Sequence, residues 1–353
     1  MPASLKDVAR KAGLSPATVS RHMNGTLELP PETRARIERA VRQLGYRPNP
    51  HARRLSLGRS DTITLIVPDI ANPFFATLAA SVERTASERG MIVQLHATSN
   101  VEAREIALLE LATDNRADGV VFCTNRRPSP DVATAMAALP RVVVVDEAVP
   151  GARAPQIYAD NAQGGYLAGH HLAGWGHRRV AYMGGGQALM STRQRAEGLE
   201  RGLRDGSGGE TVAVRVMSGQ HDVASGRALA TDLLDGRDNA TAIFVGSDEI
   251  AIGVIETLRA RNVRIPRDMS LVSFDGARAL HLYDPPITAV RQPAQRLGAR
   301  AVELLLDGDW KDQALPDLVE YLPVDLIERA SVAAPNTTRN DQPEPDRQRS
   351  VTP

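Results

Sequence analysis

Apolar positions recur at helical spacing through the first sixty residues. Beyond residue 61 they collect into short β-branched runs separated by amphipathic stretches. Leu5, Val8, Ala9 and Ala12 fall at i, i+3, i+4 and i+7, which predicts a helix over Leu5–Ala12 with Ser4 as its N-cap. Gly13 can take positive φ and ends that helix in a tight turn. Ser15 is placed to cap a second helix, with Pro16 in the first turn, where a missing N–H costs nothing. Val19 and Met23 face inward, and Asn24-Gly25 stops this helix. A third helix starts after Pro30-Pro31, buries Ile37, Ala40, Val41 and Leu44, and ends at Gly45.

The later runs are Ile63–Val67, Ile92–His96, Gly119–Phe122, Val142–Val145, Val180–Met183, Val212–Val216, Ala242–Val245 and Leu271–Phe274. Amphipathic segments such as Phe74–Arg89, Glu102–Asn115, Ala162–Trp175, Thr192–Arg204 and Glu249–Arg261 lie between them. This alternation predicts an α/β fold of parallel sheets with helices on both faces. Eight runs are more than one sheet holds comfortably, so two subdomains are expected, with a ligand in the crevice at the carboxyl ends of the strands. The polar, proline-rich segment from Ala334 has no apolar period and is expected to be disordered. No internal sequence repeat is obvious.

The composition is that of a soluble globular chain: 353 residues, 42% hydrophobic and 24% charged. No run of eighteen apolar residues exists, and Met1 to Arg10 carries charge where a signal peptide would be apolar. Cytoplasmic residence and no membrane partner are therefore expected. A single cysteine, Cys123, excludes a disulfide framework and any multi-cysteine metal site. The zero net charge hides an asymmetry. Residues 1–60 hold twelve Lys/Arg against four Asp/Glu, and the rest holds thirty against thirty-eight. A basic head on an acidic body suits a nucleic-acid reader joined to a sensing or catalytic unit, although a short solvated basic segment gives the same count.

Two short helices joined by a glycine turn are the parts of a helix-turn-helix, whose second helix enters the major groove. Pro16, Ala17 and, one turn on, Arg21 would then meet base edges, and the Arg21 guanidinium can hold guanine O6 and N7 together. Ser15, Thr18, Ser20 and Asn24 are short polar groups suited to phosphate oxygens. A plain helical hairpin with a solvated face has the same spacing.

The phrases LKDVARKAGLSPATVSRHMNG and LGYRPNPHARRL closely resemble the lac-repressor/purine-repressor family of bacterial transcription regulators. LIVPDIANPFF, GHRRVAYMGG, RQRAEGL, SDEIAIG, SFDG and TAVRQP continue the resemblance over roughly residues 4 to 330. It implies a helix-turn-helix DNA-binding head over 1–60 with a hinge helix at about 50–57. The core, over 61–333, would resemble the periplasmic sugar-binding proteins. Its N-subdomain would take 61–159 and 292–322, its C-subdomain 160–291 and 323–333, with three crossovers between them. Ser4 and Leu5 join the DNA-binding residues on this basis, as do Tyr46, Asn49, Arg53, Arg54 and Leu55 of the hinge phrase. A helix as short as 50–57 is marginal alone in water, so it should order on DNA. In the family a leucine there wedges between base pairs, and Leu55 matches it.

The resemblance also implies a homodimer on a near-palindromic operator and a small effector, a sugar or sugar derivative, held between the subdomains. The matching residues are Asp146 at the end of VVVVD, Asp275 at the end of LVSFD, Arg195 in RQRAEGL, Ser247 in SDEIAIG, Phe74 or Phe75 as an apolar wall, and His221. His221 departs from the family, which often has an aromatic residue there. Asp at a strand end also serves simply to cap a turn. Three other features suggest chemistry and are assigned structural roles. His170 and His171 point about 100° apart on a helix, which with His177 makes a poor metal cluster. Gly184-Gly185-Gly186 is not a dinucleotide fingerprint. Cys123, between Phe122 and Thr124, reads as a buried thiol. No cofactor, metal or enzymatic activity is expected.

Overall fold

The structure, a computed structural model, describes residues 3–23, 26–46, 60–236 and 239–336. The expected hinge helix lies outside the described residues, with Asn49, Arg53, Arg54 and Leu55, as do Asn24 and the tail from residue 337. The chain divides into two compact units, one running to Thr62 together with Asn115–Asp118, the other holding the remainder.

The first unit contains α1 (Leu5–Ala12), α2 (Pro16–Met23) and α3 (Pro31–Leu44). A capping box starts α1: the Ser4 hydroxyl accepts the Asp7 N–H at 3.3 Å, and the Asp7 carboxylate accepts the Ser4 N–H at 3.0 Å. Gly13 at φ 64° and Gly45 at φ 59° end α1 and α3 in the left-handed conformation. Ser15 caps α2 by accepting the Thr18 N–H at 3.1 Å. Val8, Ala9, Ala12, Val19, Ile37 and Ala40 form the buried centre, with Val41 and Leu44 packed beside it only partly buried.

The second unit carries two six-stranded sheets. The first is built from β1 (Thr62–Val67), β2 (Ile92–Ala97), β3 (Gly119–Cys123), β4 (Val142–Val145), β5 (Gln156–Ala159) and β11 (Val319–Leu322), in the order β11-β5-β4-β3-β1-β2. The second uses β6 (Arg179–Gly184), β7 (Ala213–Ser218), β8 (Ala242–Val245), β9 (Ser270–Asp275), β10 (Thr288–Arg291) and β12 (Asp325–Ile327), in the order β12-β10-β9-β8-β6-β7. The two orders are one topology used twice, an architectural repeat with no obvious sequence repeat beneath it. The pairings β1–β3, β3–β4, β4–β5, β5–β11, β6–β7, β6–β8, β8–β9 and β9–β10 are parallel, whereas β10 with β12 is antiparallel. That edge strand corrects the expectation of parallel sheets alone. β12 enters this sheet from β11 of the other sheet over only two residues, not by a strand–helix–strand crossover from β10, so the parallel direction is not imposed on it.

The helices of this unit are α4 (Pro73–Glu88), α5 (Glu102–Asp114), α6 (Pro130–Ala137), α7 (Asn161–Gly174), α8 (Met190–Gly206), α9 (Val223–Asp235), α10 (Asp248–Ala260) and α11 (Ala294–Asp307). One apolar cluster joins the first sheet to α4 and α11, through Leu65, Leu78, Val143 and Leu297 among others. Tyr182, Phe244 and Phe274 fill the centre of the second sheet beneath α7 and α8.

The α7–α8 crossing sets the geometry of the site. A Cβ added at Gly165 would lie 2.2 Å from the Arg195 carbonyl oxygen, and one at Gly198 would lie 2.2 Å from that of Ala162. Gly169 and Gly202 make the same approach one turn on, to Leu199 and Tyr166. Backbone meets backbone at four points where no Cβ could stand, which fixes the depth at which α8 carries Arg195.

Candidate functional site

On the head, α2 presents Ser15, Pro16, Ala17 and Arg21 as exposed residues, with Thr18 and Ser20 half-buried beside them. The hydroxyls of Ser15 and Thr18 lie 2.8 Å apart, so both already serve the start of the helix. Ser4 is exposed, whereas Leu5 and Tyr46 pack against the head's apolar centre. The exposed side of α2 thus has one long cationic side chain, Arg21, beyond a first turn of small residues.

In the second unit, the ends of strands from both sheets converge on one cavity. Phe74, Phe75, Asp146, Arg195, His221, Ser247 and Asp275 all line it. Asn72, Asn125, Glu147, Ser191 and Gln292 line it too, and sequence reasoning did not single these out. Two of them had a visible signal, since Asn72 sits in ANPFF and Gln292 in TAVRQP. Glu147 had none, because an acid following a strand reads as a solvated turn residue.

Asp146 follows β4 with φ 79°, and Asp275 ends β9 with φ 94°. This left-handed backbone is sparsely populated for residues with a side chain, and Asp is among those that tolerate it. Burial pushes the Asp146 carboxyl up to about 8, against the attraction of Arg195 and helped by Glu147 and Asp275. Asp275 is raised as well, first by burial, opposed by Arg195, Gln292 and the Asp248 N–H. It accepts from Gln292 Nε2 at 2.5 Å and from the Asp248 N–H at 3.2 Å. Its neighbour Asp248, buried and accepting from the Ser273 hydroxyl at 2.6 Å, is pushed up to about 8 by burial and by Asp275. Carboxyls held partly protonated can donate as well as accept.

Arg195 pairs with neither acid directly. Its guanidinium lies 3.6 Å above the Phe274 ring centre, its Nε donates to Asn161 Oδ1 at 2.8 Å, and an Nη donates to the Gly246 carbonyl. The contact with the Phe274 ring helps hold this intrinsically planar group in place. Ser247 caps α10 by accepting the Ile250 N–H at 3.4 Å, so its hydroxyl has a structural duty at the cavity edge. Burial, with Arg195 nearby, lowers His221 to about 4, which leaves the ring neutral at physiological pH. Asn72 accepts the Phe74 N–H at 2.9 Å and starts α4, setting Phe74 and Phe75 edge-to-face, 5.0 Å apart.

Glu147 spans the cleft. It follows β4 in the first sheet, yet accepts the N–H of Met190 at 2.7 Å and of Ser191 at 3.2 Å, and the Ser191 hydroxyl at 2.7 Å. It therefore caps α8, which has no capping side chain of its own. Asn125 Oδ1 and Gln292 Oε1 are buried acceptors without partners. The cavity admits water over only about 30 Å³, room for a water or two. The Glu147 hydrogen bonds tie the first sheet to the start of α8 across this cavity.

The features set aside in the sequence take structural positions. His177 joins Thr241, Ser270 and the Ala333 carbonyl at 2.8–3.0 Å, and its pKa is lowered to about 4 by burial. Cys123 is fully buried, and its thiol pKa is raised by that burial. Ala333 and Pro335 lie against the second subdomain, Pro335 beside Gly176, so ordered chain extends past the residue 334 boundary expected from the sequence.

Residues 4–49 match the family model described as bacterial regulatory proteins, lacI family, and residues 60–317 the one described as periplasmic binding proteins and sugar binding domain of LacI family. The chain belongs to the LacI family. Among curated proteins it is similar to the HTH-type transcriptional repressor CytR of Escherichia coli (strain K12), 30% identical over 94% of this chain and 97% of that one. Among solved structures it resembles the lac repressor dimer bound to operator and the anti-inducer ONPF. The TM-score is 0.78 at 25% identity, over 95% of this chain and 100% of that one. The transcriptional regulator CelR–cellobiose complex matches with a TM-score of 0.67 at 28% identity, over 93% and 99%. Within this LacI-family chain the first match spans α1 to α3, and the second takes in every strand except β11 and β12. Its relatives are transcription regulators, and no described helix is long and apolar enough to cross a membrane.

Proposed function

We propose that this LacI-family chain is a sequence-specific DNA-binding transcription repressor, cytoplasmic and homodimeric, without catalytic activity of its own. Its operator affinity is set by a small polyhydroxylated effector, a sugar or sugar derivative, in the cleft between the two sheets. One observation carries the reading: Asp146 and Asp275, from opposite sheets, face one cavity with Arg195 and the phenylalanines. A polyol presents donors and acceptors on one face and C–H groups on the other. Raised carboxyls, a fixed guanidinium, a neutral His221 and two unpartnered amide oxygens meet the first, and Phe74 and Phe75 meet the second. The cellobiose complex of CelR supports this effector class. Arg21, Pro16 and Ala17 read bases, Ser15, Thr18 and Ser20 hold phosphates, and Ser4, Leu5 and Tyr46 join the DNA-binding residues. Asn24, Asn49, Arg53, Arg54 and Leu55 complete the DNA contacts, with Leu55 as the wedge of a hinge that folds on the operator. The functional units are the head to residue 60 and the core from 61 to 333. The core's subdomains divide as 61–159 with 292–322 and 160–291 with 323–333.

The test is an operator selection with the purified chain on genomic fragments at physiological salt, with and without a mixture of sugars and nucleosides. Salt suppresses the non-specific phosphate binding that masks specificity. A near-palindromic motif is the expected product. No motif under either condition overturns the reading.

A further inference from the structure

The lining of the effector cavity is unbalanced in charge. Asp146, Glu147 and Asp275 bring three carboxyls to it, and among the described residues Arg195 is its one cation, beside a neutral His221. The guanidinium is already directed elsewhere, to Asn161, to the Gly246 carbonyl and onto the Phe274 ring. More acids stand close by. Asp248 lies against Asp275, and Glu249 is raised first by burial and then by Asp275, Asp69 and Asp222 together. Walls of one sign draw in ligands of the other.

The lining is unbalanced in hydrogen bonding as well. Glu147 is served by the N–H groups of Met190 and Ser191 and by the Ser191 hydroxyl. Both oxygens of Asp275 are engaged, by Gln292 Nε2 and by the Asp248 N–H. The Asp146 carboxyl accepts no hydrogen bond from any described residue. Asn125 Oδ1 and Gln292 Oε1, on the same lining, are buried acceptors without a donor, and Gln292 is more than nine-tenths buried. Burial holds Asp146 at about 8 against the pull of Arg195, with Glu147 and Asp275 adding to it. A cation beside it would bring it back down, because opposite charge favours the ionised form. The unserved groups are thus all acceptors, and their surroundings are acidic. They call for a ligand that brings N–H and O–H donors together with positive charge. An anionic ligand would add more of what the lining already has in excess.

We propose that the effector is an amino sugar: its ammonium rests on Asp146, and its hydroxyls donate to Asn125 and Gln292. The inference deepens the reading of this cavity as the effector site and rests on it. The charged pair selects the amine, and buried amide oxygens are costly to leave unpaired.

The experiment titrates the full-length chain by calorimetry at neutral pH with glucosamine, galactosamine and mannosamine. It repeats the titration with their neutral parents glucose, galactose and mannose, with the three N-acetylated amino sugars, and with the phosphate ester of glucose. Operator binding is followed with each compound, and Asp146→Asn is measured beside wild type. In wild type at least one amino sugar should bind about tenfold or more tighter than its neutral parent, with no binding of the phosphate ester. N-acetylation keeps the nitrogen and removes the charge, so it should abolish the preference in wild type without recourse to a variant. In Asp146→Asn the amino sugar should fall to the affinity of its parent. A neutral, acetylated or phosphorylated sugar that binds as tightly as the amino sugar, or a preference that survives in Asp146→Asn, overturns the inference and leaves the cleft as the effector site. If no compound of any class binds or moves operator affinity, the inference falls together with the reading it rests on.

Discussion

Asp146 and Asp275 occupy the same place in two copies of one topology. Each stands at the carboxyl end of the third strand in its sheet, beside β5 and β10 respectively, and each adopts a left-handed φ, 79° and 94°. Both side chains reach the shared cavity. The repeat places two similar carboxyls on opposite walls, where sliding or hinging of one sheet against the other changes their separation. A ligand bridging them is held differently in open and closed forms, and only such a difference can shift the balance between them.

The pH dependence of stability follows from Asp146. Burial holds its folded pKa at about 8, above the ordinary 3.8. For a raised acid, the stabilising contribution is complete below the unfolded value and is lost as pH rises through the folded one. Asp146→Asn cannot ionise, so its melting temperature should gain on wild type as pH climbs from about 5 to about 8. Parallel thermal melts measure the gap, and a gap independent of pH contradicts the assignment.

Glu147→Ala removes the cap from α8 and leaves two N–H groups and the Ser191 hydroxyl without their acceptor. A loss of about 1–3 kcal/mol is expected in urea denaturation, since buried polar groups left unpaired cost that much. The variant should also rest more open, with a larger radius of gyration in solution scattering. An unchanged midpoint and radius would show that the latch bears no weight.

Gly198→Ala places a methyl against the Ala162 carbonyl, which is backbone and cannot swing away. The α7–α8 pair must separate, at a cost of about 1–3 kcal/mol as for overpacked cores. Arg195 then moves with α8, so effector affinity should fall alongside stability. Gly186→Ala, where an added Cβ meets nothing within 4 Å, serves as the tolerant comparison. Equal effects in the two variants would reject close packing as the cause.

On the head, Arg21→Ala should lower operator affinity by about 1–3 kcal/mol and relax preference at one base pair per half-site. Competition binding against single-base operator variants gives the readout. Unchanged preference at every position removes Arg21 from base reading.

The legible parts of this fold were those in which one residue type decides. Ser4, Gly13, Pro31 and Gly45 fixed the head's helix ends, and the valine-rich runs fixed eight strands, within one or two residues at most ends. Four strands were missed. QIYA and VEYL are only four residues long, VEYL has two exposed positions, and DLI of β12 has three residues at an edge. TAVR of β10 was read as a motif and not as a strand. Their strand state comes from pairing with neighbours already in place, and pairing leaves little local trace. The cavity residues found from sequence stand at strand ends or in recognisable phrases. Glu147 escaped because its partner, the start of α8, lies forty-three residues away on the other sheet. Ser247 shows the opposite case, a cavity residue whose hydroxyl already caps a helix.

The central claim is that a ligand in this cleft sets DNA affinity, and operator titration tests it most directly. Fluorescence anisotropy on the selected operator, with neutral, amino and phosphorylated sugars and nucleosides added one at a time, compares wild type with Asp275→Asn. The account predicts a shift of about 5–150-fold in wild type with at least one compound. It predicts loss of that shift in Asp275→Asn, with ligand-free operator affinity retained. A wild-type affinity that no compound moves, or a shift that survives intact in Asp275→Asn, would contradict it.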